Sequence, residues 1–159
     1  MDYLIIENAL PNELIEEIRL AIEAGPFNDG KLTANGLAKS LKNNLQLSIA
    51  NHGELFQKIA KCIIVHPRVQ AYVLPLRITN PIISRYEEGM EYGMHVDQAY
   101  ISEIRTDFSF TLFLEAPESY DGGELVIARQ PQQLAFKLRA GSMVVSPTGS
   151  MHCVTQITR

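Results

Sequence analysis

The spacing of apolar residues changes from helical to alternating about halfway along the chain. In two early segments, 12–24 and 53–65, apolar residues recur every three or four positions, which predicts two helices with one buried face each. Asn12 is the expected N-cap of the first helix, and Gly25-Pro26 is expected to end it. A short apolar run at residues 3–6 predicts a leading strand.

From residue 72 onward the apolar positions indicate short strands separated by turns rich in glycine and proline. The predicted strands are 72–77, 81–87, 94–98, 107–115, 123–129, 133–138, 142–147 and 152–157. Two helices followed by such a run predict an α+β fold whose sheet part is a sandwich or barrel of the jelly-roll type. The polar residues 27–45 are expected to be irregular, and Pro67 is expected to stop the second helix.

We expect one domain over residues 1–159, with a helical part over about 1–70 and a jelly-roll core over about 71–159. Each predicted helix has a single apolar face, so both helices should pack on the outside of the sheet. The composition is that of an ordinary globular protein, with 46% hydrophobic and 20% charged residues.

Charge and composition also exclude several classes of partner. The net charge is −4 and no basic stripe is present, so nucleic acid is not an expected partner. No apolar run approaches the length of a membrane span, and the start lacks the pattern of a signal peptide. The cysteines Cys62 and Cys153 have no metal-site spacing, which favours free thiols and a cytoplasmic location.

The strongest candidate chemistry lies at His95-Val96-Asp97. Residues i and i+2 of a strand point to the same face, so this spacing directs an imidazole and a carboxylate to one point. Such a pair supplies two of the three ligands of a two-histidine, one-carboxylate iron site. His-x-Asp also occurs often by chance, so the third ligand decides the interpretation.

His152 is the candidate third ligand because it follows a turn and opens an alternating segment, and a jelly roll brings distant strands together. His52 and His66 lie in a polar loop and at a helix end, where surface or capping roles are expected. A surface position is the simpler alternative for His152 alone.

A longer pattern surrounds these three residues and runs in the same order over nearly the whole chain. Its elements are Arg85-Tyr86-x-x-Gly89-x-x-Tyr92-x-x-His95-x-Asp97, Thr111-Leu112-Phe113-Leu114, Tyr120-Asp121-Gly122-Gly123-Glu124-Leu125, Ala140-Gly141-Ser142 and His152-x-Val154-Thr155, with Asn43-Asn44-Leu45-Gln46-Leu47 and Leu74-Pro75-Leu76 upstream. With these residues the chain resembles the Fe(II)- and 2-oxoglutarate-dependent dioxygenases. Within them it is most similar to the bacterial PKHD-type hydroxylases, relatives of prolyl 4-hydroxylases.

The resemblance implies a double-stranded β-helix in which His95, Asp97 and His152 bind Fe(II), with 2-oxoglutarate and O2 on the remaining positions. The implied reaction hydroxylates a small-molecule or peptidyl substrate and gives succinate and CO2, with ascorbate keeping the iron reduced. Tyr86 matches the tyrosine that hydrogen-bonds the 2-oxoglutarate carboxylate, and Ser109 is a weaker candidate for a supporting hydroxyl. Neither fold nor motif specifies the substrate.

The resemblance also leads to an expectation about the end of the chain. The family's basic residue that pairs with the far carboxylate of 2-oxoglutarate would lie beyond Arg159, and Arg159 itself has the wrong strand offset. We therefore expect a shortened enzyme that lacks this co-substrate anchor and the last jelly-roll strand.

Two other residues of the pattern are expected to be structural: Tyr92 within a strand, and Gly122-Gly123 as a hairpin turn, because no helix follows that could make a phosphate loop. Two alternatives to the enzyme remain. One is a non-catalytic jelly roll that binds a metal or a protein. The other is a cupin-like protein of different chemistry, which is disfavoured because cupins generally use more histidines.

Overall fold

The computed structural model describes residues 3–159, and helices and strands are mixed as the sequence predicted. The first half contains β1 (Leu4–Ile6), α1 (Asn12–Ala24), β2 (Phe27–Asp29), a 3-10 turn (Gly30–Thr33), α2 (Gly36–Ser40), β3 (Lys42–Asn43), β4 (Leu45–Leu47), a 3-10 turn (Ile49–Asn51), α3 (Gly53–Ile64) and α4 (Pro67–Val73). The second half contains β5 (Ser84–Arg85), β6 (Glu91–His95), β7 (Tyr100–Ile101), β8 (Ile104–Arg105), β9 (Phe108–Leu112), a 3-10 turn (Pro117–Ser119), β10 (Leu125–Arg129), β11 (Gln132–Phe136), β12 (Met143–Pro147) and β13 (His152–Val154).

The strands form antiparallel sheets in which neighbours are often distant in sequence. One sheet has the order β11-β10-β13-β6-β3, two others have the orders β1-β12-β9 and β2-β4-β5, and β7 and β8 form a separate hairpin. The pairing of β13 with β6 sets His152 directly opposite His95. Long-range pairing of this kind is typical of jelly rolls and brings the two histidines together.

The core lies on both sides of β12 because successive side chains of a strand point to opposite faces. Met143 and Val145 pack in a cluster with the buried faces of α1 and α3, whereas Val144 faces a second cluster with residues of β10 and β11. Ile18 of α1 and Phe56 of α3 are fully buried in the first cluster. Burial of each such side chain contributes roughly 1.5–3 kcal/mol, so α1 and α3 are held against the outer face of a sheet, as predicted.

Two predictions about the first half of the chain were wrong. The strand expected at 72–77 is the end of α4 followed by an irregular segment, because Leu74 adopts a left-handed conformation (φ 50°) that ends the helix. The region 27–45 is not irregular but contains β2, α2, β3 and the start of β4. Its many polar residues were interpreted as a loop, although Lys42 of β3 and Asn44, between β3 and β4, are buried.

Smaller corrections concern the helix ends. Asn12 is the first residue of α1 rather than its cap, since Pro11 holds the capping position with the extended conformation that precedes a helix. Pro67 follows the end of α3 but also begins α4, where a missing amide proton costs nothing. His66 caps α4, as expected, by accepting a hydrogen bond at Nδ1 from the backbone amide of Arg68 (3.2 Å). No helix within residues 3–159 is long and apolar enough to cross a membrane.

Candidate metal centre and its surroundings

His95, Asp97 and His152 converge at one end of the paired strands β6 and β13. His95 is the last residue of β6, Asp97 follows two positions later, and His152 opens β13. An oxygen of the Asp97 carboxylate lies 3.7 Å from Nε2 of His95 and 3.7 Å from Nε2 of His152. Possible ligand atoms of the three residues all lie within 4.8 Å of one another. The site therefore combines two strand ends that the sheet brings side by side.

Backbone carbonyl groups orient both imidazole rings. Nδ1 of His95 lies 2.7 Å from the carbonyl oxygen of Gly93, and Nδ1 of His152 lies 2.9 Å from that of Ser150. A carbonyl oxygen only accepts, so each Nδ1 must carry the proton and each Nε2 keeps its lone pair. Metal-binding histidines commonly have such a partner on their second nitrogen, because it fixes the tautomer and the ring orientation.

The surroundings of Asp97 favour its charged form. Burial alone would raise the pKa of this carboxyl group, but a hydrogen bond with Ser109 and the nearby imidazoles of His95 and His152 lower it overall. Ser109 of β9 also lies 3.2 Å, oxygen to oxygen, from the hydroxyl group of the buried Thr148. The structure thus places Ser109 beside a candidate metal ligand, and the hydroxyl group of Ser109 also contacts that of Thr148.

Two further side chains lie next to the candidate metal centre: Tyr92 contacts His95, and Lys42 contacts Tyr92. The ring of Tyr92 stacks on the imidazole of His95, with a centroid distance of 3.6 Å and an angle of 16°. The ammonium group of Lys42 lies 5.1 Å from the centroid of the same tyrosine ring. Burial and the negative charge of Asp97 both raise the pKa of Tyr92. Tyr92 was predicted to have a structural role. In the structure it also contacts a candidate metal ligand directly.

The three residues fit a divalent iron ion. Two neutral imidazole nitrogens and one carboxylate are the donor set of non-haem Fe(II) oxygenases, which leave ligand positions open for other molecules. Nitrogen and oxygen ligands lie about 2.1 Å from a first-row divalent ion, so neighbours at right angles are about 3.0 Å apart. The observed 3.7 Å separations are somewhat wider, so only a small contraction is needed.

Tyr86, the candidate co-substrate residue, follows β5 and is half-buried. Burial raises its pKa to about 12, although the nearby amide of Asn44 opposes the rise. Neither polar atom of the Asn44 side chain has a hydrogen bond of good geometry, and Asn44 is only 3% exposed. Its amide rests on Gly30, where a Cβ atom would lie 1.7 Å from Oδ1. A neutral phenol and an amide therefore lie together in a buried position.

The glycine pair Gly122-Gly123 has a different role from the predicted hairpin turn. Both residues have positive φ angles, and a Cβ atom on Gly122 would lie 1.9 Å from the carbonyl oxygen of Gln156. The residues after β13 therefore pack directly on this turn. His52 occupies the capping position before α3, as expected, but its half-buried side chain makes no cap hydrogen bond. Its Nε2 instead lies 3.0 Å from the carbonyl oxygen of Gly25 after α1.

Sequence reasoning did not identify Lys42, Asn44 or Thr148 as parts of this region. Lys42 and Asn44 are both buried and alternate with the exposed Asn43. The alternation Lys-x-Asn-x-Gln over residues 42–46 was a usable signal, because period two indicates a strand even when the inner residues are polar.

The chain is similar to known oxygenases. The sequence profile of the 2OG-Fe(II) oxygenase superfamily matches residues 81–159. A PKHD-type hydroxylase of Hyphomonas neptunium is 38% identical to this chain, over 98% of the chain and 72% of the relative. A second, from Shewanella frigidimarina, is 42% identical over 98% of the chain and 73% of the relative.

Solved structures show the same fold. A prolyl-4-hydroxylase from Pseudomonas putida aligns with a TM-score of 0.68 and 19% identity, over 99% of this chain and 87% of that one. The viral collagen prolyl hydroxylase of Paramecium Bursaria Chlorella virus-1 aligns with a TM-score of 0.63 and 18% identity, over 99% of this chain and 89% of that one. With two close relatives over most of its length, the chain belongs to the PKHD-type hydroxylases of the 2OG-Fe(II) oxygenase superfamily.

Proposed function

We propose that this chain is an Fe(II)- and 2-oxoglutarate-dependent dioxygenase that hydroxylates a small-molecule or peptidyl substrate, with ascorbate keeping the iron reduced. The observation that carries the proposal is the convergence of His95, Asp97 and His152 with both Nε2 atoms directed at one carboxylate. We also infer that the chain is a single domain. In support, α1 and α3 share one apolar cluster with β1 and β12.

In this proposal His95, Asp97 and His152 hold the metal through two Nε2 atoms and a carboxylate oxygen. The bound iron, with 2-oxoglutarate and O2, supplies the oxidising chemistry that replaces a C–H bond by C–OH and gives succinate and CO2. The carbonyl groups of Gly93 and Ser150 hold the protons on both Nδ1 atoms and keep the rings fixed. Fixed ligands make the metal position independent of side-chain rearrangement.

Tyr86 is proposed to donate a hydrogen bond to a carboxylate of 2-oxoglutarate. A pKa of about 12 keeps its phenol protonated at any physiological pH, so it remains a donor beside a bound anion. Ser109 is proposed as the second hydroxyl group of the site, and its hydrogen bond with Asp97, a proposed metal ligand, supports this role. The ring of a different tyrosine, Tyr92, stacks on His95 and shields one face of that imidazole from water.

Turnover tests the proposal. The purified chain with Fe(II), 2-oxoglutarate and ascorbate should consume O2 and release succinate, slowly without the substrate and faster with it. His152→Ala should abolish both signals, whereas His66→Ala, which alters only the cap of α4, should leave them unchanged. Equal succinate release by the wild type and His152→Ala would contradict the role assigned to this histidine.

A further inference from the structure

Lys42 is a buried cation without an anion. It is only 6% exposed, and among residues 3–159 it is the one lysine or arginine that is buried. Its ammonium group donates one hydrogen bond, to the hydroxyl group of Thr33 at 2.9 Å. No carboxylate of the described residues lies within ion-pair distance, although an ammonium group offers three protons. A buried charge left in this state is costly unless something else pairs with it.

The position of Lys42 relates it to the candidate metal centre. Its strand, β3, is the neighbour of β6, and Lys42 is opposite Tyr92 in the pairing. One aromatic ring separates the ammonium group from His95, since Tyr92 contacts both. Burial lowers the pKa of Lys42, and the negative charges of Asp97 and Asp29 oppose this change. The cation therefore lies at the edge of the same site.

Neutral hydrogen-bonding groups extend from Lys42 along the same face. Lys42 of β3, Asn44 between the strands and Gln46 of β4 occupy alternate positions of this segment, and all three are buried. Gln46 and Lys42 are linked through the hydroxyl group of Thr33. Asn44 has unused hydrogen-bonding capacity and lies next to Tyr86. A polar inner face of this kind suits a polar ligand rather than an apolar core.

From these contacts we propose that Lys42 is a ligand-binding residue whose ammonium group pairs with a carboxylate bound beside His95, Asp97 and His152. The inference rests on the proposed function, because that function supplies the carboxylate ligands. One ammonium among neutral donors matches the single charge of a carboxylate better than the larger charge of a phosphate group. The carboxylate belongs either to the far end of 2-oxoglutarate or to the substrate.

The experiment compares Lys42→Met with Lys39→Met. Lys39 is an exposed lysine of α2, so the control removes the same charge three residues away. Binding is followed without oxygen through the visible absorbance of the Fe(II)–2-oxo acid complex. The two titrants are 2-oxoglutarate and 2-oxovalerate, which has the same metal-binding end and chain length but a methyl group in place of the far carboxylate.

Two results support the proposal and identify the source of the carboxylate. If Lys42 binds 2-oxoglutarate, Lys42→Met should weaken its binding by more than about tenfold and leave 2-oxovalerate unchanged. If Lys42 binds the substrate, both 2-oxo acids should bind normally. N-acetylglycine, added to the complex with 2-oxoglutarate as a carboxylate probe, should then lose at least about tenfold in affinity, while N-acetylglycinamide should not respond.

Stability separates ligand binding from a structural role. The metal-free Lys42→Met protein should unfold at an equal or higher temperature than the wild type, because it removes a buried, unpaired charge. Unchanged binding of both 2-oxo acids and of N-acetylglycine in Lys42→Met, or a marked drop in its unfolding temperature without a binding effect, would overturn the proposal. Absence of the absorbance band in the wild type itself would instead refute the proposed function.

Discussion

Replacing Gly122 with alanine would put a methyl group where the backbone after β13 now lies. The added Cβ would be 1.9 Å from the carbonyl oxygen of Gln156, and φ at this residue is +74°. The contact involves backbone on both sides, so no side-chain rotation relieves it. The residues after β13 must therefore move, or the turn that contains Gly122 must change its conformation.

The expected loss of stability follows from two contributions. A positive φ costs a non-glycine residue roughly 1–2 kcal/mol. Movement of the chain after β13 also breaks the bonds of Asp121 with Thr158 (2.9 Å) and Arg159 (3.1 Å), each of which contributes roughly 0.5–1.5 kcal/mol. Gly122→Ala should therefore destabilise the protein by about 3–4 kcal/mol, which for this size corresponds to a fall in Tm of roughly 10 °C.

Urea unfolding of Gly122→Ala and two glycine controls measures the two contributions separately. Gly36 has φ +56° and no atom within 4 Å of the position that an added methyl group would take, so Gly36→Ala isolates the backbone contribution of about 1–2 kcal/mol. Gly149 has neither feature, and Gly149→Ala should be nearly neutral. If Gly122→Ala lowers the free energy of unfolding by no more than Gly36→Ala does, close packing of the residues after β13 is not the reason for a glycine at position 122.

Three further predictions concern the site and the core. Tyr92→Leu should weaken Co(II) binding by about two- to tenfold, because the ring stacked on His95 is lost. Competition with a chelator measures this affinity, and Tyr92→Phe should bind Co(II) normally. Equal losses of affinity in both variants would exclude stacking as the cause. Tyr86 keeps its proton to a pKa of about 12 when folded and to about 10 when unfolded. Its contribution to stability is thus complete below pH 10 and is lost as the pH rises towards 12. Between pH 9 and 11 the wild type should lose about 1 kcal/mol more than Tyr86→Phe in urea unfolding, and identical losses would contradict the burial of the phenol. Phe56→Ala should destabilise the protein by roughly 3–5 kcal/mol, measured in the same way, whereas a loss below about 1 kcal/mol would show that α3 does not pack as described.

The clustering of the three candidate metal ligands could be predicted because its signal is local. His95 and Asp97 are two positions apart at a strand end, and His152 opens a strand after a clear turn. Tyr92 could not be assigned in this way, since a residue three positions from His95 should face the opposite side. The pairing of β13 with β6 is irregular, because the two steps from His152 to Val154 lie opposite the three steps from His95 to Tyr92. Such a bulge lets Tyr92 and His95 meet.

Other features depended on contacts between distant parts of the chain. The glycine pair after Asp121 was interpreted from its local sequence, but its conformation is needed for a contact with Gln156. Lys42 lies in a segment that was predicted to be a loop because it is rich in polar residues. Polar residues are normally expected to face water, so a strand with a buried polar face gives a weak sequence signal. Here tertiary packing buries them beside the candidate metal centre.

The assignment of His95, Asp97 and His152 as iron ligands is tested most directly by anaerobic titration of the purified chain with Fe(II) in the presence of 2-oxoglutarate. The weak visible band of the iron–2-oxo acid complex should grow to saturation at one Fe(II) per chain. It should be absent in Asp97→Ala and His152→Ala and unchanged in His66→Ala. A wild-type chain without this band, or a band that persists in both ligand variants, would contradict the account.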